Sequence, residues 1–239
     1  MSILIFFVIL SLLVIVHEMG HFLGARIFGI RVDEFGVGYP PRAGKLFKWK
    51  GSNFTLNWLP FGGFVKIYGE DPSEENLRAP ESFQSKNRGI QAAVLAAGVA
   101  FNFAFAWLLI SLGLMTGLPS PAGFLPIENP HTVITTVIPG SPAALAGLKS
   151  GDTILAVNGT AVSPEEAARA IGGASGSLDF EVSRGASISH KSVVPKEGIV
   201  AGQKAVGISM EVVGTATLSP VRAVVEGAKI SWSLAVETA

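Results

Sequence analysis

Residues 2–21, SILIFFVILSLLVIVHEMGH, decide the fold of this chain because an uncharged apolar run leads directly into an HExxH motif. With its continuation to about Ile27, the run is long enough to cross the roughly 30 Å hydrocarbon core of a bilayer. A helix places His17 and His21 about one turn apart on the same face. That spacing lets both imidazole rings reach one zinc ion, with Glu18 next to a zinc-bound water. Ionisable side chains are costly in a membrane helix, so three within five residues indicate a functional site.

Two simpler interpretations of this segment are weaker. An HExxH sequence occurs by chance in soluble helices, but here it ends an apolar run. A secretory signal peptide would have a basic N-terminal region, a shorter apolar stretch and small residues at a cleavage site, and the segment has none of these. The sequence therefore predicts a transmembrane helix that carries metal ligands.

The composition is that of a membrane protein with a soluble part. Of 239 residues, 49% are hydrophobic and 15% are charged, and the mean hydropathy is +0.47. This length allows one to two domains. The formal net charge is zero, which gives no indication of a nucleic-acid partner. The chain has no cysteine, which excludes thiolate zinc sites, disulfides and cysteine nucleophiles.

Changes in polarity divide the chain into five stretches and predict a membrane α-helical fold with a soluble α+β domain. The stretches are a first transmembrane helix at 1–28, a polar loop at 29–88, a second transmembrane helix at 89–118, a β-rich domain at 124–213 and the start of a further membrane region at 214–239. The last stretch is amphipathic and becomes apolar only towards its end.

Basic residues predict the orientation in the membrane. The stretch before the first helix has none, whereas the loop between the helices holds Arg31, Arg42, Lys45, Lys48, Lys50, Lys66, Arg78, Lys86 and Arg88. The positive-inside rule places this loop in the cytoplasm and the 124–213 domain outside the cell membrane. We therefore expect an integral protein of the inner (cytoplasmic) membrane, in contact with lipid.

The loop contains an unusually apolar and aromatic segment, NFTLNWLPFGGFVKI, at residues 53–67. Its alternation around a Pro/Gly turn predicts two short strands. One interpretation is a surface hairpin. The other is a re-entrant β-hairpin that enters a membrane cavity of the protein, where irregular backbone is tolerated. An edge strand there would pair with an extended substrate by strand addition.

Several motifs, in their order along the chain, resemble the site-two protease family (M50) of intramembrane zinc metalloproteases. His17–Phe22 is similar to the family's HExGH-F signature. Asp33–Tyr39 is similar to its EFxxGFGP segment, although this chain has Pro40 where a glycine is usual in the family. Leu59–Lys66 resembles its membrane re-entrant β-loop. Gly98–Asn102 resembles its GPxxN element, with valine in place of the proline.

This resemblance implies metal-assisted hydrolysis of peptide bonds within membrane segments. His17 and His21 would bind Zn2+, and Glu18 would move the proton from water to the leaving amine. Substrates would be single-pass membrane proteins such as anti-sigma factors. The tentative substrate-binding residues are Gly62, Gly63, Phe64 and Asn102. For Asn102 a second role stays open, since an amide in a membrane helix also serves to hold helices or an active site together.

A second resemblance concerns the outer domain. Residues 141–159, SPAALAGLKSGDTILAVNG, are similar to the PDZ core of bacterial proteases, which predicts a PDZ-like α+β domain. The resemblance implies binding of a peptide or protein C-terminus by strand addition; the alternative is a spacer. His131 and His190 belong to this region and are expected at the surface rather than at the metal.

Two other functional classes stay open: a non-proteolytic membrane anchor that displays a PDZ peptide-binding module, and a metal-binding membrane protein without hydrolase activity. Glu18 argues against both, because zinc ligation alone does not require it. Catalytic zinc usually has three protein ligands, and in the family the third is an Asp of a later LDG-type motif that these residues lack. We therefore expect an N-terminal fragment that binds zinc weakly and does not cleave by itself, with Asp33 or Glu34 the first candidates if a third ligand lies within it.

Overall fold

A computed structural model describes residues 2–71, 79–200 and 203–237. Arg78, one of the loop cations, lies outside the described residues. The helices are α1 (Ser2–Ile27), α2 (Arg88–Thr116), α3 (Pro142–Leu145), α4 (Pro164–Gly173) and α5 (Pro220–Glu237), with a 3₁₀ turn at Phe83–Ser85. The strands are β1 (Val32–Trp49), β2 (Ser52–Ile67), β3 (Leu118–Pro121), β4 (Glu128–Val137), β5 (Thr153–Val157), β6 (Leu178–Arg184), β7 (Ser187–Val193), β8 (Lys196–Val200), β9 (Gln203–Ala205) and β10 (Ile208–Ala216).

Contacts divide the chain into two compact units. The first unit, residues 1–110 and 224–239, contains α1, β1, β2, most of α2 and most of α5; the second unit, residues 111–223, is the β-rich domain. The β-rich domain extends beyond the predicted range 124–213 at both ends, because β3 pairs with the last residues of β10.

Helices α1 and α2 are each long and apolar enough to cross a membrane. At about 1.5 Å per residue, the 26 residues of α1 span about 39 Å. Apolar side chains such as Ile3, which is 75% exposed, cover the outward surface of α1. Such a surface is stable in lipid and would be a liability in water.

Strands β1 and β2 are long and bent, so each contributes two segments to one small sheet. Residues 32–37 of β1 lie between residues 63–67 and residues 53–57 of β2; Phe35, for example, pairs with both Val65 and Phe54. The predicted pairing of the two halves of 53–67 with each other is therefore corrected: the two halves flank β1. The reason is that residues 32–37 of β1 pair along both of their edges and so lie between the two halves.

The inner face of this sheet packs on α1 through aromatic side chains. Phe22, the residue after the second histidine, is 1% exposed and contacts the rings of Phe35 and Phe54 at 5.8 and 5.4 Å between centroids. At the other end, Ser11 Oγ donates to the carbonyl oxygen of Pro60 at 3.0 Å. These contacts fix the sheet along α1 on both sides of the HExxH motif.

The second unit is a six-stranded sheet in the order β3-β10-β4-β5-β6-β7, with a separate two-stranded pair β8-β9. Its core is a closed apolar cluster around Ile134, Phe180 and Val182, each 0% exposed. Serine side chains cap its two helices: Ser141 caps α3, and Ser163 forms a capping box with Glu166 at the start of α4.

A buried ion pair fixes the turn before β5. Asp152 is completely buried and accepts hydrogen bonds from Arg184 Nε at 2.6 Å and from the backbone N–H of Lys149 at 2.9 Å. The hydrogen bond from Arg184 is the main reason why the pKa of the Asp152 carboxyl lies below its ordinary value. The carboxylate therefore holds the 149–152 turn against the end of β6.

Candidate metal centre

His17 and His21 are four positions apart, so α1 places both rings on one of its faces. This face is turned towards α2, where the rings meet Val94 and Asn102. The Nε2 atoms of the two rings lie 3.1 Å from each other. Nδ1 of His21 lies 2.9 Å from the carbonyl oxygen of Val94. A carbonyl oxygen only accepts hydrogen bonds, so Nδ1 of His21 is the protonated nitrogen and its Nε2 carries the lone pair. This is the tautomer that a metal ligand needs.

Two glycines allow the rings to lie this close to α2. A Cβ on Gly98 would lie 2.5 Å from Nε2 of His21 and 2.7 Å from Nε2 of His17. A Cβ on Gly20 would collide with the carbonyl oxygen of Ala97. Small residues at helix contacts let membrane helices approach closely. This function of Gly98 was not predicted from the sequence, although its position within the GPxxN-like element was a signal.

Asn102, four residues along α2 from Gly98, is brought to the other side of the His17 ring. Its Nδ2 atom lies 3.4 Å from Nδ1 of His17. The predicted site residues of α1 and α2 are therefore adjacent in space, although they are 85 residues apart in sequence.

Glu18 faces the edge of the small sheet. A cavity is lined by Glu18, His21, Gly63, Phe64 and Val65 together with Tyr39, Ile67, Glu70 and Leu95. The backbone N–H of Val65 donates to the Glu18 carboxylate. A Cβ on Gly63 would lie 3.8 Å from Cγ of Glu18, which shows how closely the strand passes the carboxylate.

Gly62 lies one residue beyond this cavity lining. It has a φ of +80° and its backbone N–H donates to Ser11 Oγ at 3.5 Å. The left-handed φ favours glycine at this turn. Gly62 therefore shapes the turn, whereas Gly63 and Phe64 line the cavity.

The two acids suggested as third ligands point elsewhere. Asp33 accepts from Arg31 Nε at 2.9 Å, and Glu34 accepts from Arg42 Nη2 at 2.6 Å. Glu70, which the sequence analysis did not single out, lines the Glu18 cavity instead. Within residues 2–71, 79–200 and 203–237, no group of three His, Asp or Glu side chains is placed to hold a metal ion.

The donor set nevertheless fits zinc. Two Nε2 atoms lie 3.1 Å apart, one Nδ1–H is held by a carbonyl, and the Glu18 carboxylate lies on the same helix, one residue from His17. Neutral imidazoles with their second nitrogen held by an oxygen are typical of zinc ligands. His131 and His190 belong to the β-rich domain and are exposed, as expected for surface residues.

Comparison with protein families identifies the chain. The family model described as peptidase family M50 matches residues 5–238, which is almost the whole length. The chain belongs to peptidase family M50.

Two relatives illustrate the membership of this M50 chain. A Clostridium perfringens protein with the provisional name of a zinc metalloprotease is 34% identical over 87% of this chain and 58% of its own length. A chloroplastic membrane metalloprotease of Arabidopsis thaliana is 35% identical over 65% of this chain and 34% of its own length. The match thus covers little more than half of the length of the first relative and about a third of the length of the second.

Among solved structures, the PDZ domain of an SdrC-like protein from Listeria innocua aligns with 34% of this M50 chain and 92% of its own. The sequence identity is 21% and the TM-score is 0.30, so this likeness carries no argument about the fold. The architecture of the β-rich domain stands on its own strand order and core.

Proposed function

We propose that the complete protein is an intramembrane zinc endopeptidase that cleaves membrane-spanning segments of other proteins. The observation that carries the proposal is the 3.1 Å approach of two Nε2 atoms on an apolar helix, with the Glu18 carboxylate beside them. Membership of family M50 supports this chemistry. A binding-only anchor would not need a carboxylate next to two such rings.

Each group of the site has a distinct task in this reaction. His17 and His21 would hold zinc, which would supply a Lewis acid for the scissile carbonyl and for a water molecule. Glu18 accepts the proton from that water and delivers it to the departing amine nitrogen. The hydrogen bond from the N–H of Val65 fixes the position of the Glu18 carboxylate, which is the proton acceptor.

The edge of residues 63–67 is the proposed substrate platform. This segment pairs with β1 on one side, and its opposite edge, with Gly63 and Phe64, faces Glu18. An unwound membrane segment added to this edge would run past the metal ligands in an extended form. Gly62 would maintain the backbone turn that leads into this edge. Asn102 would contact the Nδ1 side of the His17 ring, opposite the Nε2 atom proposed to bind the metal.

Orientation in the membrane is proposed from the loop cations. The loop between α1 and α2 would be cytoplasmic, the sheet tip around Pro60 would be re-entrant, and the β-rich domain would be extracytoplasmic. Cysteine introduced at Lys48 or Asn158 tests this, because the chain has no other cysteine. An impermeant thiol reagent added outside should label position 158 and spare position 48; the opposite pattern would reverse the orientation.

The β-rich domain is proposed to be PDZ-like and to bind an extended peptide. A groove is lined by Ala168 and Ile171 of α4 and by residues 205–210 before and within β10. β3 pairs with β10 from Val213 onwards, and the backbone N–H of Ala122 donates to the carbonyl oxygen of Val212, so residues 208–211 have a strand partner on one side only among the described strands. A peptide strand fits that edge. Titration with peptides that end in an apolar residue should shift the amide signals of residues 206–210.

The decisive experiment uses the complete gene product in detergent with a fluorescent transmembrane substrate. Glu18→Gln should lower cleavage by at least about 1,000-fold while most zinc is retained, because the amide cannot accept the proton. His17→Ala should remove both zinc and cleavage. Cleavage by Glu18→Gln at the unchanged rate would refute the proposed mechanism.

A further inference from the structure

The two histidines are held by different kinds of partner. His21 is held by the Val94 carbonyl, which fixes its tautomer as described above. His17 is held by the Asn102 side-chain amide, which has a donor end and an acceptor end of nearly the same shape. The tautomer of His17 therefore depends on which end of the amide faces its Nδ1.

The 3.1 Å distance between the Nε2 atoms restricts the alternatives. Since Nε2 of His21 carries a lone pair, Nε2 of His17 either donates a proton to it or carries a second lone pair that shares a cation with it. In the first case Nδ1 of His17 is an acceptor and the amide Nδ2 donates to it. In the second case Nδ1 is protonated and needs an acceptor.

The amide oxygen is available for the second arrangement. Oδ1 of Asn102 is buried and has no hydrogen-bond partner among the described residues. A buried oxygen without a hydrogen-bond donor destabilises the folded state. A half-turn of the amide would bring Oδ1 to the place of Nδ2, next to Nδ1 of His17, and so give this oxygen a donor.

We infer that Asn102 is a positioning residue of the metal centre: its Oδ1 accepts a hydrogen bond from the Nδ1–H of His17, which leaves the Nε2 lone pair of His17 free to bind the metal. The carbonyl of Val94 does the same for His21. Both ligands then present Nε2 to one ion, each held by an oxygen at Nδ1. This inference rests on the proposed zinc site, and it explains a polar residue on an apolar helix.

An aspartate at position 102 keeps the acceptor and loses the donor, whereas a leucine of similar size loses both. Zinc affinity of the purified 239-residue chain in detergent can be measured by competition with a chromophoric chelator. We expect Asn102→Leu to bind zinc about 10- to 100-fold more weakly, as is usual when a partner of a metal-bound imidazole is removed. We expect Asn102→Asp to bind zinc at least as tightly as the unchanged chain.

Gln91→Leu is the matched control. Gln91 is another buried amide on α2, but it donates to the carbonyl oxygens of Phe83 and Lys86 and not to a histidine. The Gln91→Leu chain should be less stable than the unchanged chain but should bind zinc with the same affinity. Thermal unfolding of all variants separates a folding defect from a ligand defect, and ¹⁵N shifts of the His17 ring report its tautomer directly.

The outcomes separate the inference from the proposed function. Zinc binding that depends on His17 but is equally tight in Asn102→Leu would overturn the inference alone. So would an Asn102→Asp chain that binds as weakly as Asn102→Leu, since the donor end would then be the one that matters. Equal zinc affinity in the His17→Ala variant and the unchanged chain would overturn the metal site and this role of Asn102 together.

Discussion

The two units of the molecule treat polar and apolar groups in opposite ways. In the β-rich domain, apolar side chains such as Phe180 are enclosed, and the ion pair of His190 with Asp179 lies at the surface. In the first unit, apolar side chains in the first half of α1, such as Ile3, face outward and only its second half contributes to an apolar core, while the polar groups His17, His21 and Asn102 face inward.

The difference follows from the surroundings of each unit. Water drives apolar side chains into a closed core, but lipid gives little reward for burying one apolar side chain against another. Helix packing in the first unit therefore relies on glycine contacts and specific hydrogen bonds. The same contacts build the proposed metal centre, so a change that disturbs the helix packing there should also disturb the proposed zinc site.

The largest effect is expected at the glycine beneath the metal ligands. A methyl group in Gly98→Ala would lie 2.5 and 2.7 Å from the two Nε2 atoms, so zinc affinity should fall about 100-fold or more. Gly24→Ala is the control, because its methyl group would meet Cβ of Ala97 at 3.0 Å without touching a histidine. Equal zinc affinity in both variants would mean that the ligands do not depend on this contact.

In the β-rich domain the largest expected effect is on stability alone. Phe180→Ala should lower the free energy of unfolding by about 3–5 kcal/mol, because the ring is fully buried in the closed core. Phe124→Ala should change it by less than about 0.5 kcal/mol, since Phe124 is 62% exposed. Denaturant unfolding of a fragment covering residues 111–223 measures both. Zinc binding of the 239-residue chain should not respond to either change.

The buried ion pair sharpens the comparison through pH. Asp152→Asn should cost about 1–2 kcal/mol, a value reduced because Arg184 is partly exposed. The folded-state pKa of Asp152 is lowered, chiefly by the hydrogen bond from Arg184, so its contribution is present above the unfolded pKa of about 3.9 and is lost as pH falls through the folded-state pKa.

Acid unfolding of the same fragment tests this point. The unchanged domain should lose stability below about pH 4, and Asp152→Asn should lose less over that window. Parallel acid curves for the two proteins would show that Asp152 does not carry the dependence.

The smallest effect is expected at the surface pair. The hydrogen bond to Asp179 raises the pKa of His190, so the contribution of this pair is present below the unfolded pKa of about 6.5 and is lost as pH rises through the folded-state pKa. His190→Gln should flatten the stability curve slightly in that range. An NMR titration of the His190 ring with a midpoint at or below 6.5 would contradict the expected upward shift of its pKa.

Much of the architecture could be read from local sequence. The apolar runs predicted both candidate membrane helices to within about two residues, and residues 141–159 predicted an α+β segment, in which the structure has α3 and β5. These signals act over a few residues, where side-chain chemistry and backbone geometry are directly linked. The pairing of residues 53–67 was not predicted, because it depends on β1, whose strand character was not recognised.

The sequence by itself determined the proposed metal-ligand pair. HExxH on one helix fixes which side chains share a face, because helical geometry repeats every 3.6 residues whatever surrounds it. Only the tertiary structure brings Val94 and Asn102, more than 70 residues away in sequence, next to the Nδ1 atoms of the two rings, where they influence which nitrogen of each ring carries the proton. The approach of α2 at Gly98 and the placement of residues 63–67 beside Glu18 are likewise long-range contacts, whose geometry no local pattern encodes.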